Sequence, residues 1–224
     1  GMGCYLKNGI LYAVMNEVDE DPKSNPLSVL LIFDLSDNQL ICSYEIRGNN
    51  GRNHFNHVVV DNHGVAYISN TLKSNIIYVD TRNKHDSLKI LIAHKDLGWV
   101  HGLDLNEDGS MLFTTSYQGG IRFFDLRKGA FTTYRDTTLA GDDGLKYFQG
   151  FLYGVGQNSI RRYSLDKALT KVTGRNVILE DHEYFNDPRC LHVEDSVLYC
   201  LANIEFDPVT FGESKKTKRN RAGR

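Results

Sequence analysis

Short apolar runs stopped by Asn, Asp and Gly recur along the whole chain. The clearest stretch runs from Asn56 to Asp80. There Val58-Val-Val60 ends at a polar turn, Val65-Ala-Tyr67-Ile-Ser follows, and Ile76-Ile-Tyr-Val-Asp80 comes after a further loop. Runs of this length, rich in β-branched and aromatic residues and bounded by turn formers, predict strands. No amphipathic helical period separates them, which excludes a doubly wound α/β sheet. One helical turn is predicted at Asp166–Lys171.

The pattern repeats. A turn residue followed by a strand with a fixed aromatic appears as Gly9-Ile-Leu-Tyr12, Gly64-Val-Ala-Tyr67, Gly109-Ser-Met-Leu-Phe113, Gly150-Phe-Leu-Tyr153 and Asp195-Ser-Val-Leu-Tyr199. The spacing is in the mid-forties, except for a longer first step explained by an acidic insertion, Asn16–Ser28. The neighbouring strands keep phase. Third strands read Leu30–Asp34, Ile76–Asp80, Ile121–Asp125 and Ile160–Ser164. Outer strands read Cys42–Ile46, Leu88–Ile92, Phe131–Tyr134 and Asn176–Leu179. Inner strands read Val58–Val60, Leu103–Leu105, Leu145–Tyr147 and Cys190–Val193, with Cys4–Leu6 as the one candidate in the first unit.

Four strands per unit at this period predict an all-β fold, a β-propeller of about five blades. The fifth unit continues only as Ile204–Asp207. Two arrangements are open: a five-bladed ring whose terminal strands complete one blade, or part of a six-bladed ring, which the ragged fifth unit favours. One propeller domain is expected over residues 1–213, followed by a basic disordered tail over 214–224.

The composition adds exclusions. A net charge of −2 offers no general attraction to nucleic acid or anionic membrane, so only the basic tail points that way. No run of about 18 apolar residues exists to span a bilayer, and the N-terminal residues lack a signal-peptide pattern. Lys7 stands where a myristoylation signal needs Ser or Thr. Cys4, Cys42, Cys190 and Cys200 show no metal-finger spacing and read as reduced thiols, and a cytoplasmic location is expected. There is no Gly-x-Ser-x-Gly elbow, P-loop or dinucleotide fingerprint.

Candidate chemistry lies where loops enter the inner strands, because several blades aim polar groups at one end of a propeller channel. Counting eight residues back from each inner turn gives Asn56, His101, Asp142 (or Asp143 with one deletion) and Asp187. Trp99, beside His101, is a candidate for lining the mouth. Asp61, Asp80, Asp108 and Asp125 recur at strand ends and read as turn formers.

His54-Phe-Asn-His-Val-Val-Val-Asp61-Asn-His-Gly64, His101-Gly-Leu-Asp-Leu-Asn-Glu-Asp-Gly109 and Asp143-Gly-Leu145 resemble, in order, three segments of the senescence-marker-protein, gluconolactonase and regucalcin family. The likeness covers roughly Arg52 to Asp166, with NHL-like repeats as the wider kin. It implies a divalent cation, commonly calcium, at the channel mouth, and hydrolysis of a lactone or small ester. Asn56 matches one Asn ligand, and Asp143 matches the Asp that both ligates and serves as general base. His101 stands where a second Asn belongs, and the family's Glu has no counterpart. An imidazole ligand turns the preference towards zinc or another transition metal, with His57 and His182 as further donors. On this reading Asp143 is catalytic, Asn56, His101 and Asp143 hold metal, and Trp99, Asp142 and Asp187 contact substrate. The alternative is a non-catalytic propeller binding a protein or glycan.

Overall fold

A computed structural model describes residues 3–17, 25–48, 51–132, 139 and 141–202. Among these the chain forms eighteen strands and no α-helix. The first sheet holds β1 (Cys4–Lys7), β2 (Ile10–Asn16), β3 (Leu27–Asp34) and β4 (Gln39–Arg47). The second holds β5 (Phe55–Val60), β6 (Val65–Asn70), β7 (Asn75–Asp80) and β8 (Lys89–Ala93). The third holds β9 (Val100–Leu105), β10 (Met111–Ser116), β11 (Arg122–Asp125) and β12 (Ala130–Thr132). The fourth holds β13 (Gly144–Phe148), β14 (Phe151–Gly156), β15 (Ser159–Leu165) and β16 (Val172–Glu180). The fifth comprises β17 (Leu191–Glu194) and β18 (Val197–Cys200). Each is an antiparallel meander in chain order, and their first strands touch in succession, β1 to β5 to β9 to β13 to β17. This is a propeller-like arrangement of blades around a channel.

The repeated turn has a backbone cause. Gly9, Gly64, Gly109 and Gly150 all sit at positive φ, between 70° and 82°. In the fifth hairpin Asp195 and Ser196 take φ of 49° and 65°, the pair of left-handed residues that a two-residue hairpin requires. The recurrent aspartates secure the turns. Asp61 Oδ1 accepts from the backbone of His63 and Val65, Asp80 from Arg82, Asp108 from Ser110 and Asp125 from Arg127 and Lys128.

Because side chains alternate across a strand, each blade has two apolar faces, and the core is a series of layers between blades. Val14, Leu30 and Ile32 of the first blade meet Phe55, Val58 and Ile68 of the second. Val59, Tyr67 and Ile76 meet Leu103, Leu112 and Phe124. Phe113 and Phe123 meet Leu145, Tyr147 and Tyr163, with Phe113 stacked on Tyr147 at 5.3 Å. Val155 and Ile160 meet Leu191.

One expectation changes. Asp166–Lys171 forms no helical turn; Asp166 accepts from the Thr170 and Lys171 backbones and holds a tight loop instead. Cys4–Leu6 does serve as the inner strand of the first unit, since β1 pairs with β2 inside the first sheet. The expected strand at 204–207, part of the outer strand at 133–134, much of the 16–28 insertion and the basic tail lie outside the described residues.

Candidate functional site

The strand registers define which residues are equivalent. Val58, Leu103, Leu145 and Leu191 occupy the same place in their inner strands, each one position before the residue that faces the blade's conserved aromatic. Two residues earlier stand Asn56, His101, Asp143 and Arg189. These four form the channel mouth.

Glycine sets their spacing. A Cβ on Gly3 would stand 2.4 Å from the carbonyl oxygen of Asn56, one on Gly102 2.8 Å from that of Asp143, and one on Gly144 2.1 Å from that of Arg189. Real Cβ atoms do not approach backbone that closely, so these three inner strands admit the next mouth residue only because they carry no side chain there. The second blade differs. It has His57 at this position, in a β-bulge between Phe55 and Val58. Here Ser69 Oγ joins the strands, accepting from the His57 N–H at 3.0 Å and donating to the His101 carbonyl at 2.6 Å. The third blade repeats the bulge, with Thr115 Oγ1 accepting from the Gly102 N–H at 2.9 Å.

At the mouth, His101 and Asp143 form a buried pair. His101 Nδ1 lies 2.7 Å from Asp143 Oδ1, and the Asn56 side-chain amide is 3.0 Å from the same nitrogen. Nε2 of His101 and Oδ1 of Asp143 are both buried without a hydrogen-bond partner. Tyr117 presents its ring edge-on to the imidazole at 4.2 Å. Arg189 Nη1 stands 3.6 Å from Asp143 Oδ2, while its Nε donates to Asp187 at 3.0 Å. Burial pushes the Asp143 carboxyl up, but the His101 imidazole and the Arg189 guanidinium outweigh it and hold it below the usual carboxylate range. Burial and the Asp143 charge push the Tyr117 phenol up to about 12, so it keeps its proton at neutral pH. Burial lowers His57 to about 4, against the pull of Asp143.

The structure therefore brings together Asn56, His101 and Asp143. It turns Asp142 away: that carboxylate is fully buried inside the fourth blade, bound by Arg161 and by the Tyr163 hydroxyl. Gly154 makes room for it, since a Cβ there would collide with the carboxylate. Asp187 is exposed and reaches the mouth only through Arg189. Trp99 is 51% exposed beside the mouth, and its carbonyl accepts from the Tyr117 N–H at 3.3 Å. His182 lies exposed in the loop before β17 and stacks loosely with Tyr184 and Phe185. Counting from turns missed Arg189, because the fifth hairpin is short; counting back from Leu191 finds it. Tyr117 comes from a loop that carries no motif.

The mouth does not fit a resident divalent cation. Hard cations need several oxygen donors. Here one carboxylate oxygen already faces an imidazole, the other faces a guanidinium, and one amide remains. Among the described residues no group of three His, Cys, Asp or Glu side chains is placed to hold a metal ion.

A cavity of about 500 Å³ is lined by residues of all five inner strands and of β18. Gly3, His57 and Cys190, each one residue past a mouth position or its equivalent, form its rim. Among the described residues no helix is long and apolar enough to cross a membrane.

No family model matches the sequence, and no curated protein matches it either. Many solved structures share the fold. A luciferin-regenerating enzyme superposes with a TM-score of 0.63 at 12% identity, over 88% of this chain and 67% of that one. A putative 6-phosphogluconolactonase from Bacteroides uniformis gives 0.62 at 14% identity, over 91% of this chain and 64% of that one. The Cps50 (Swd1) β-propeller domain of Myceliophteria thermophila gives 0.54 at 14% identity, over 75% of this chain and 54% of that domain. The chain thus spans about two thirds of the first two structures and about half of the third. At these identities the likeness establishes the propeller-like fold.

Proposed function

We propose that the chain hydrolyses a lactone or small ester at the channel mouth, with His101 as general base and Asp143 as the residue that positions it. One observation carries this reading: His101 Nδ1 lies 2.7 Å from a carboxylate oxygen, and both that oxygen and Nε2 are buried without a hydrogen-bond partner. With the proton on Nδ1, turned to that carboxylate, the Nε2 lone pair is left to accept another. The resemblance assigns the base to Asp143, but the His101 imidazole and the Arg189 guanidinium hold that carboxyl below its ordinary range, which weakens it as a proton acceptor.

In this scheme Nε2 takes a proton from water, and the oxygen adds to the carbonyl carbon. The acyl–oxygen bond then breaks, and Nε2 returns the proton to the departing alkoxide. Lactone and water become a hydroxy acid. Tyr117, protonated and against the imidazole, has its hydroxyl within reach of Asp143 and would turn it to the oxyanion. The lactonase-type name of one structural neighbour agrees with the reading but adds only fold-level support.

The test is turnover of simple lactones and aryl esters by wild type, His101→Gln and Asp143→Asn, each with and without chelator. Hydrolysis by wild type that survives chelation and falls roughly 100- to 10,000-fold in both variants is expected. An inactive wild type would overturn the reading in favour of a non-catalytic propeller that binds a protein or glycan.

A further inference from the structure

The fourth sheet ends in an outer strand unlike the others. β16 is nine residues long, and among the described residues it pairs on one side only, with β15. The inner strands gather at the channel, so β16 lies on the outer rim and its free edge meets solvent. Its last six residues are all exposed. They include Val177, Ile178 and Leu179, at 39%, 49% and 37%. Among the described residues β4, β8 and β12 show no such run. Tyr44 is buried in β4, and Leu91 and Ile92 are half-buried in β8.

Edge strands are commonly guarded by Lys, Pro, bulges or brevity, because a bare row of N–H and C=O groups pairs with any strand that arrives. β16 contains neither Lys nor Pro. Its bulges fall at Thr173 and Ile178, and the run 174–177 between them keeps regular register with Arg161–Ser164.

Charge decides which strand arrives. Lys171 immediately precedes β16, and Glu180 and Asp181 close it; all three are exposed. The edge is therefore basic at its start and acidic at its end. An identical strand added in parallel would set like charges side by side. Added antiparallel and centred on Asn176, it sets Lys171 opposite Asp181, and symmetry repeats the pair on the other side.

We propose that β16 is a self-association edge, pairing antiparallel with the β16 of a second copy of this chain about a two-fold axis at Asn176. The two fourth sheets become one continuous sheet, and the exposed Val177, Ile178 and Leu179 gain a neighbouring strand. Such an interface is closed, so association stops at two. Association at this rim is independent of turnover at the mouth.

Sedimentation velocity on a dilution series of the wild-type protein should show a mass of two chains that falls to one. One chain at every concentration, or growth past two, overturns the proposal. Ile178→Lys places a charge on the edge and should weaken the dimer at least about tenfold, with an unchanged circular dichroism spectrum. Asp181→Asn separates specific pairing from bulk repulsion. It brings the net charge of −2 closer to zero, which favours association of any kind, yet it removes two opposed pairs and should weaken this dimer severalfold. A dimer that tolerates both variants lies elsewhere and overturns the proposal too. Asn176→Cys reads the register. Residue 176 faces its own copy across the axis with Cα atoms about 4.5–5.5 Å apart, inside disulfide range. Oxidised glutathione should link two such chains through residue 176, read by peptide mass spectrometry against wild type. Thr173→Cys, which faces Leu179 instead, should link none. Failure to link through 176, or equal linking through 173, overturns the pairing.

Discussion

Asp142 and Asp143 are neighbours in sequence and face opposite ways. Asp142 points into the fourth blade, where Arg161 and Tyr163 enclose it. Asp143 points to the mouth, where His101 meets it. A strand about to begin explains the division. Asp143 donates its N–H to Val155 and stands just before the first register pair, Gly144 with Val155, while Asp142, one residue earlier, falls on the face turned to Gly154.

The two carboxylates should therefore separate stability from activity. Asp142→Asn leaves the buried Arg161 guanidinium without its counter-ion and should cost roughly 3–5 kcal/mol, read from urea unfolding. Asp143→Asn should cost less than Asp142→Asn, because the Asp143 side chain keeps 10% of its surface exposed and that of Arg189 beside it 23%, and it should lose hydrolysis. A stable, active Asp142→Asn would remove the structural role given to that residue.

The glycines at the strand starts predict a contrast between two alanine substitutions. Gly144→Ala drives a methyl into the Arg189 carbonyl and should cost about 1–3 kcal/mol. Gly174→Ala, in outer strand β16, meets only Ser164 at 3.6 Å, an ordinary contact. It should leave stability within about 0.5 kcal/mol or raise it slightly. Differential scanning calorimetry of the pair decides the matter; equal losses would mean that close approach is not what keeps Gly144.

Cys200 offers a chemical test of burial. Burial first, and the neighbouring Cys190 second, push its thiol up to about 11. At pH 8 only about one molecule in a thousand would carry the thiolate, the form that reacts. Alkylation at this site, followed by peptide mass spectrometry, should climb about tenfold per pH unit up to about pH 11. A rate that levels off near pH 9 would contradict the environment described for this residue.

His57 sets an acid limit. Its folded pKa of about 4 lies below the ordinary value of 6.5, so the unfolded chain binds the extra proton first. Its contribution to stability is complete above pH 6.5 and is lost progressively as pH falls towards 4, on the order of 1–3 kcal/mol in all. His57→Asn should flatten that part of the stability–pH curve. An unchanged slope between pH 4 and 6.5 would show that the ring is well solvated.

The blades were legible because each hairpin needs a left-handed residue at a fixed distance from an aromatic, and Gly9, Gly64, Gly109 and Gly150 mark it. The site was legible in part. Asn56 and His101 follow from counting back from four-residue and longer hairpin loops. The same count slips by one at Asp142 and by two at Asp187, because the fourth and fifth hairpins close with two residues. Tyr117 and the bulges at Asn56 and His101 depend on contacts between blades, and no local pattern encodes those. The likeness to a cation-binding family pointed to Asn56, His101 and Asp143, which the structure brings together, and gave no place to Arg189, which stands 3.6 Å from Asp143.

Gly3, Gly102 and Gly144 carry a last consequence. At each, the distance between neighbouring mouth residues is fixed by main chain resting on main chain. Side chains at the mouth then have no share in gauging the ring. Asn, His, Asp and Arg are four different answers set in one frame, and the frame would accept others. A scaffold of this kind can exchange its chemistry residue by residue while its gauge stays constant, which makes the mouth the natural place for new specificities to be selected and the strand-start glycines the part that selection must leave alone.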